Sequence, residues 1–192
     1  PEPDPAPAEF EWPAVDSVEL RGNGDDVVLL ENPLEVFAAL RVEGNSGGRY
    51  FGLKPVYLDG ESGRSLVNTT DPFVGTVLAG GDRSNALGGF EVRATGDWTL
   101  TLTSISEVPR LETQGTFLGA GNELLRVSET EGLTTLDVVG NAEGRYFALR
   151  PYGSRSTSLI NTTDPYKGTV RVPAGTVLLE VTATGDWELT LN

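Results

Sequence analysis

The sequence predicts an all-β chain built from two tandem antiparallel β-sandwich modules, jelly-roll or Ig-like, each of about 90 residues. Three observations predict it. Short segments rich in Val, Leu, Thr, Phe and Tyr are punctuated by Gly, Asn, Asp and Pro. Apolar residues alternate with polar ones at a period of two on both sides of recurring turn words. And the chain repeats itself: LVNTTDPFVGTV at 66–77 returns as LINTTDPYKGTV at 159–170, with nine of twelve positions identical.

The repeat extends over most of the chain. GRYFGLKP at 48–55 matches GRYFALRP at 144–151, ATGDWTLTL at 94–102 matches ATGDWELTL at 183–191, and LRGNGDDVV at 20–28 aligns with FLGAGNELL at 117–125. The offset falls along the chain from 97 to 96, 93 and 89, so length changes sit between the matched blocks, as they do when the blocks are structural and the gaps are surface loops. The modules are placed at 13–104 and 105–192.

Residues 1–12 open with PEPDPAPA, where proline at every second position fixes φ and extends the residue before it. They read as a polyproline stalk or linker. Strands are expected near 18–20, 27–30, 36–42, 49–58, 65–68, 75–79, 89–94 and 98–103. The second copy repeats them near 115–118, 123–127, 134–139, 145–151, 157–160, 168–173, 176–183 and 187–191. ENPLEVFAA at 31–39 has helical propensity, but its counterpart SETEGLTTL contains Gly and paired Thr, so no helix is expected.

The GDW words predict where the core lies. A three-residue loop Thr95-Gly96-Asp97 would pair Ala94 with Trp98, Val92 with Leu100 and Phe90 with Leu102, turning every apolar residue inward, with Gly96 supplying a left-handed residue. The second copy would pair Ala183 with Trp187, Val181 with Leu189 and Leu179 with Leu191. Both tryptophans are therefore expected inside. In NTTDP, Asn68 and Asp71 can form Asx turns, Pro72 forces Asp71 out of the helical region, and Gly75 permits a positive φ or close packing. Asn161, Asp164, Pro165 and Gly168 repeat the device. Arg49 and Arg145 are expected to clasp Asp71 and Asp164. GNG at 22–24 and GAG at 119–121 lack the rest of a dinucleotide fingerprint and read as turns.

Composition excludes several functions. Fourteen Lys and Arg against twenty-eight Asp and Glu leave a net charge of −14, which repels a phosphate backbone, so no nucleic acid is expected as partner. No Cys and no His means no disulfide, no thiolate or imidazole metal site and no Ser-His-Asp triad. Asp71, Asp164 and the Asp25-Asp26 pair are the candidate Ca²⁺ oxygens, but no dense D-x-D-x-D loop supports them, and no metal or cofactor is expected. Asn68-Thr69-Thr70 and Asn161-Thr162-Thr163 are N-glycosylation sequons in a host that has that machinery. No run approaches a transmembrane length; since the chain does not begin with Met, a processed or excised piece is expected, and any signal peptide or anchor would lie upstream.

With GRYF, LVNTTDPF-G and V-ATGDW in sequence, the chain resembles a β-rich repeat module of bacterial, actinobacterial-type, secreted or surface-anchored proteins. The resemblance covers nearly all of both copies. It implies a β-sandwich and an extracellular or cell-surface placement, and transfers no catalytic residue. The expectation is a non-catalytic module pair serving surface architecture or recognition, with a cell-surface protein or glycan as partner. The alternative is a carbohydrate-binding module or adhesin, for which Tyr57 and Tyr152 are the nominated ligand contacts. A more distant alternative is a two-carboxylate glycoside hydrolase.

Overall fold

Residues that alternate with a period of two cover only one face of a sheet, so each such segment needs a second layer to bury it. In the computed structural model, which describes residues 10–81, 84–128, 130–153 and 157–192, that layer is always another sheet. Among the described residues there is no α-helix. The chain forms two compact units, one of residues 13–107 and one of residues 108–192 together with the described end of the leading segment.

In the first unit the strands are β1 (Val18–Asn23), β2 (Asp26–Leu34), β3 (Phe37–Gly44), β4 (Phe51–Tyr57), β5 (Val67–Thr69), β6 (Phe73–Gly80), β7 (Leu87–Ala94) and β8 (Asp97–Thr103). One sheet has the order β1-β8-β3-β6 and the other β2-β7-β4-β5, all neighbours antiparallel. Successive strands alternate between the sheets, apart from the adjacent pair β4 and β5. This order is a jelly roll. The inward faces meet in one core, with Leu40, Leu100 and Trp98 from the first sheet against Phe51, Phe90 and Val92 from the second.

The second unit has β9 (Arg110–Leu111), β10 (Thr116–Ala120), β11 (Glu123–Val127), β12 (Thr134–Gly140), β13 (Phe147–Gly153), β14 (Ile160–Thr162), β15 (Tyr166–Val172), β16 (Thr176–Ala183) and β17 (Asp186–Leu191). Its sheets run β10-β17-β12-β15 and β14-β13-β16-β11-β9. The order repeats the first unit's, with one addition: β9 lies parallel along the edge of β11, and the Arg126 N–H reaches the Pro109 carbonyl at 2.8 Å. Two residues between a proline and a turn are too few to show a periodicity, so the sequence gives no sign of this strand.

The jelly roll corrects the expected GDW hairpin. β7 and β8 belong to different sheets and do not pair, so ATGD is an arch that carries the chain across the sandwich. β16 and β17 repeat the arrangement. The residues expected inside are inside: Trp98 and Trp187 are 2% and 3% exposed, and Phe90, Val92, Leu100 and their counterparts are buried. The partner strands differ because an indole needs room. Trp98 stands between Gly22 of β1 and Gly44 of β3 instead of opposite Ala94. Gly96 does not have a positive φ; Gly24, in the adjoining β1–β2 connection, does, at +77°.

Two boundaries also move. The first unit ends at residue 107, beyond the expected 104, because Ile105 is fully buried and the Ser104 hydroxyl both accepts from the Val15 N–H and donates to the Val15 carbonyl. Residues 1–9 of the expected stalk lie outside the described residues. Phe10 and Trp12 do not stand apart: their rings meet edge to face at 4.7 Å and line a small depression with Arg110, Arg126 and Val127 of the second unit. The helical propensity at 31–39 is overridden, the segment passing from the end of β2 into β3.

Candidate functional site

The repeated words resolve first into folding devices. At the β1–β2 and β7–β8 arches, the Trp98 indole N–H donates to the Gly24 carbonyl at 3.0 Å, and the Gly24 N–H donates to the Gly96 carbonyl at 3.1 Å. Asp25 Oδ1 accepts the Ala94 N–H at 2.9 Å, and Asp26 Oδ1 accepts the N–H of Val27 at 2.8 Å, so one oxygen of each carboxylate is engaged by backbone. In the second unit Trp187 donates to Gly121 at 2.9 Å and Asn122 accepts from Ala183 at 3.1 Å. A Cβ on Gly22 would stand 2.2 Å from Trp98 Cζ2, and one on Gly119 the same distance from Trp187 Cζ2. Only glycine admits the ring.

NTTDP is held by a residue that sequence reasoning passed over. Asn45, 5% exposed and left-handed at φ +59°, donates from Nδ2 to the Asp71 carbonyl at 2.8 Å and the Arg49 carbonyl at 3.0 Å, and accepts the Arg49 N–H at 2.8 Å. Asn141, φ +57°, holds the Asp164 carbonyl and the Arg145 N–H at the same 2.8 Å. Asparagine thus ties these carbonyls to the GRYF words, and the Arg49 and Arg145 side chains are exposed. The turn itself is closed by threonine, since Thr69 and Thr162 accept the N–H groups of Asp71 and Asp164 at 3.0 Å. Asn68 and Asn161, expected in Asx turns, lie instead exposed in β5 and β14. Gly75 is buried opposite Val42, and Gly168 lies beside the Tyr166 ring; neither has a positive φ. The sequence signal for the asparagines was GN-x-x-GRYF, present in both copies.

Tyr57 and Tyr152 lie in different units, and both are half-buried. The Tyr57 ring fills the space over Gly63. The Tyr152 hydroxyl donates to Glu180 Oε2 at 2.7 Å; burial first, and then the adjacent carboxylate, push its pKa up to about 12. Aromatic rings open to solvent at the same place in both copies are Tyr50 and Tyr146 of the GRYF words.

A concavity lies elsewhere, on the outer face of the β10-β17-β12-β15 sheet. It is an open groove of about 830 Å³. Pairing sets one row of side chains across it: Leu118, Glu188, Val139 and Lys167, each one strand from the next. At about 4.8 Å per strand the row is roughly 14 Å wide. Asp186 and the Tyr166 ring close the end near the arches. Leu118 is 72% exposed and Val139 44%.

The neighbouring row is closed to ligands by its own bonds. Thr116 and Thr190 hydroxyls meet at 2.8 Å, Thr169 donates to Asp137, and Asn192 donates to Asp137 at 3.0 Å, holding the Asp137 carboxyl below the usual carboxylate range. The same face of the first unit differs. There Arg21 stands for Leu118 and Glu43 for Val139, and ion pairs Arg21–Glu19 at 2.8 Å and Arg41–Glu43 at 3.0 Å lace the surface. Two adjacent apolar residues in one strand, Phe117-Leu118 and Val138-Val139, signalled that one of each must face out, and the repeat comparison shows which.

No protein-family model matches this chain, and no curated protein matches it. No helix among the described residues is long and apolar enough to cross a membrane.

Proposed function

We propose that the chain is a non-catalytic recognition module of an extracellular or cell-surface protein, and that its second unit does the recognising through the outer face of β10-β17-β12-β15. One observation carries this reading: at matched positions of two copies of one fold, a face laced with ion pairs in the first becomes an open groove with exposed Leu118 and Val139 in the second. Exposed aliphatic carbon in a concave setting loses water on binding and supplies the driving force, and the few charged groups around it fix orientation. The first unit then serves as architecture: Arg21 and Glu43 occupy the places of Leu118 and Val139, and its exposed carbon on this row is confined to Val74, at the place of Lys167. The carbohydrate-binding alternative draws its support from Tyr50 and Tyr146, exposed in both copies.

The full chain applied to a printed panel of glycans and random peptides tests this. Leu118→Glu is expected to cut the retained signal by about tenfold or more, and Leu118→Arg, which restores the first unit's residue, to do the same. A signal that both variants leave intact, or no signal on either half of the panel, overturns the proposal.

A further inference from the structure

From the alternation of charge and carbon across the groove, we infer that its ligand is an extended peptide segment of a partner protein that carries apolar side chains next to Lys or Arg. This rests on the recognition reading above and names its ligand class.

The row Leu118, Glu188, Val139, Lys167 offers two aliphatic patches with a carboxylate between them. Asp186 adds a second carboxylate at the arch end, against Lys167 as the cation of the lining. The lining therefore has an excess of negative charge, within a chain of net charge −14, so an acidic ligand is repelled both locally and at long range while a basic one is drawn in. The aliphatic floor selects side-chain carbon over sugar rings, which are better served by an open aromatic face; Tyr166 here is half-buried at the margin. The sheet ends at β10, so Leu118 lies on the edge strand of its sheet. An extended segment presents every second side chain to the sheet, so apolar, basic and apolar residues at alternate positions would place the cation at Glu188 and the flanking carbon on Leu118 and Val139.

The test pans a random dodecapeptide phage library on the full chain, with the Leu118→Glu and Glu188→Gln/Asp186→Asn chains as controls. These positions are exposed, and far-UV circular dichroism of each variant confirms that it is folded. The expected peptides combine apolar residues with Lys or Arg. Their binding weakens as salt rises, is lost in Leu118→Glu, and falls about five- to tenfold in the double amide variant, whose charge alone has changed. Enrichment of acidic or uncharged peptides that still depend on Leu118 overturns the ligand class and leaves the groove standing. So does a glycan signal that depends on Leu118 when no peptide is enriched. Peptides indifferent to both variants, or no enrichment together with no Leu118-dependent glycan signal, overturn the recognition reading itself.

Discussion

Asparagine at 45 and 141 shows how much one side chain can hold. A left-handed φ is tolerated by Asn better than by most residues, and here the same residue also satisfies two segments that are distant in sequence. Asn45→Ala removes three hydrogen bonds and leaves an unfavourable φ, so a loss of about 2–4 kcal/mol is expected in urea denaturation. Asn45→Gly relieves the φ but not the bonds and should fall between the two. Tyr152 gives a pH signature. Its folded pKa, about 12, exceeds that of a free tyrosine, about 10, so its contribution is fully present below pH ~10 and is lost as pH rises toward 12. Tyr152→Phe should remove that alkaline component from the stability curve and remove the highest-pH step from the tyrosinate absorbance titration. Neither device was legible as such: GN is a common pair, and a tyrosine's partner on the adjacent strand, 28 residues further along the chain, leaves no mark in sequence.

At the scale of elements, the strands were legible because alternation and turn residues report burial directly, and burial is what makes a strand. Pairing was not. The GDW arch and a GDW hairpin put the same residues inside, so the apolar pattern could not choose between them; the choice lies in Gly22, 76 residues from Trp98, over which the indole sits. β9 was illegible for its shortness, yet Leu111 is 1% exposed and belongs to the second core. Leu111→Ala is expected to cost about 2–4 kcal/mol, measured by chemical denaturation of the full chain. A loss under 1 kcal/mol would mean that β9 merely decorates the edge. The groove was partly legible: the doubled apolar pairs at 117–118 and 138–139 were there to be read, but which row they joined depended on a sheet order that the sequence did not reveal.

For the molecule as a whole, each core draws only on its own unit, the first from residues between 15 and 102 and the second from residues between 111 and 191. Residues 13–107 expressed alone should therefore unfold cooperatively, with Trp98 fluorescence shifting to the red in the same transition as the far-UV signal. Non-coincident transitions would show that the unit needs the rest of the chain. The acidity is shared out: residues 1–12 carry −4, residues 13–107 carry 7 − 14 = −7, and residues 108–192 carry 7 − 10 = −3. Negative charge in every segment accounts for solubility and does not single out the first unit as a docking surface.

The antiparallel partnership of β1 with β8, and of β10 with β17, sets the timing of assembly. Val18 meets Leu102 and Thr116 meets Thr190, so an early edge strand of each sandwich waits for its closing strand to leave the ribosome. Until then β1 and β10 have bare edges on both sides, open to the wrong neighbour. Synthesis cut short before residue 97 or 186 would yield a half-built sheet with no native partner for its first strand, a species for chaperones and proteases instead of a smaller working protein.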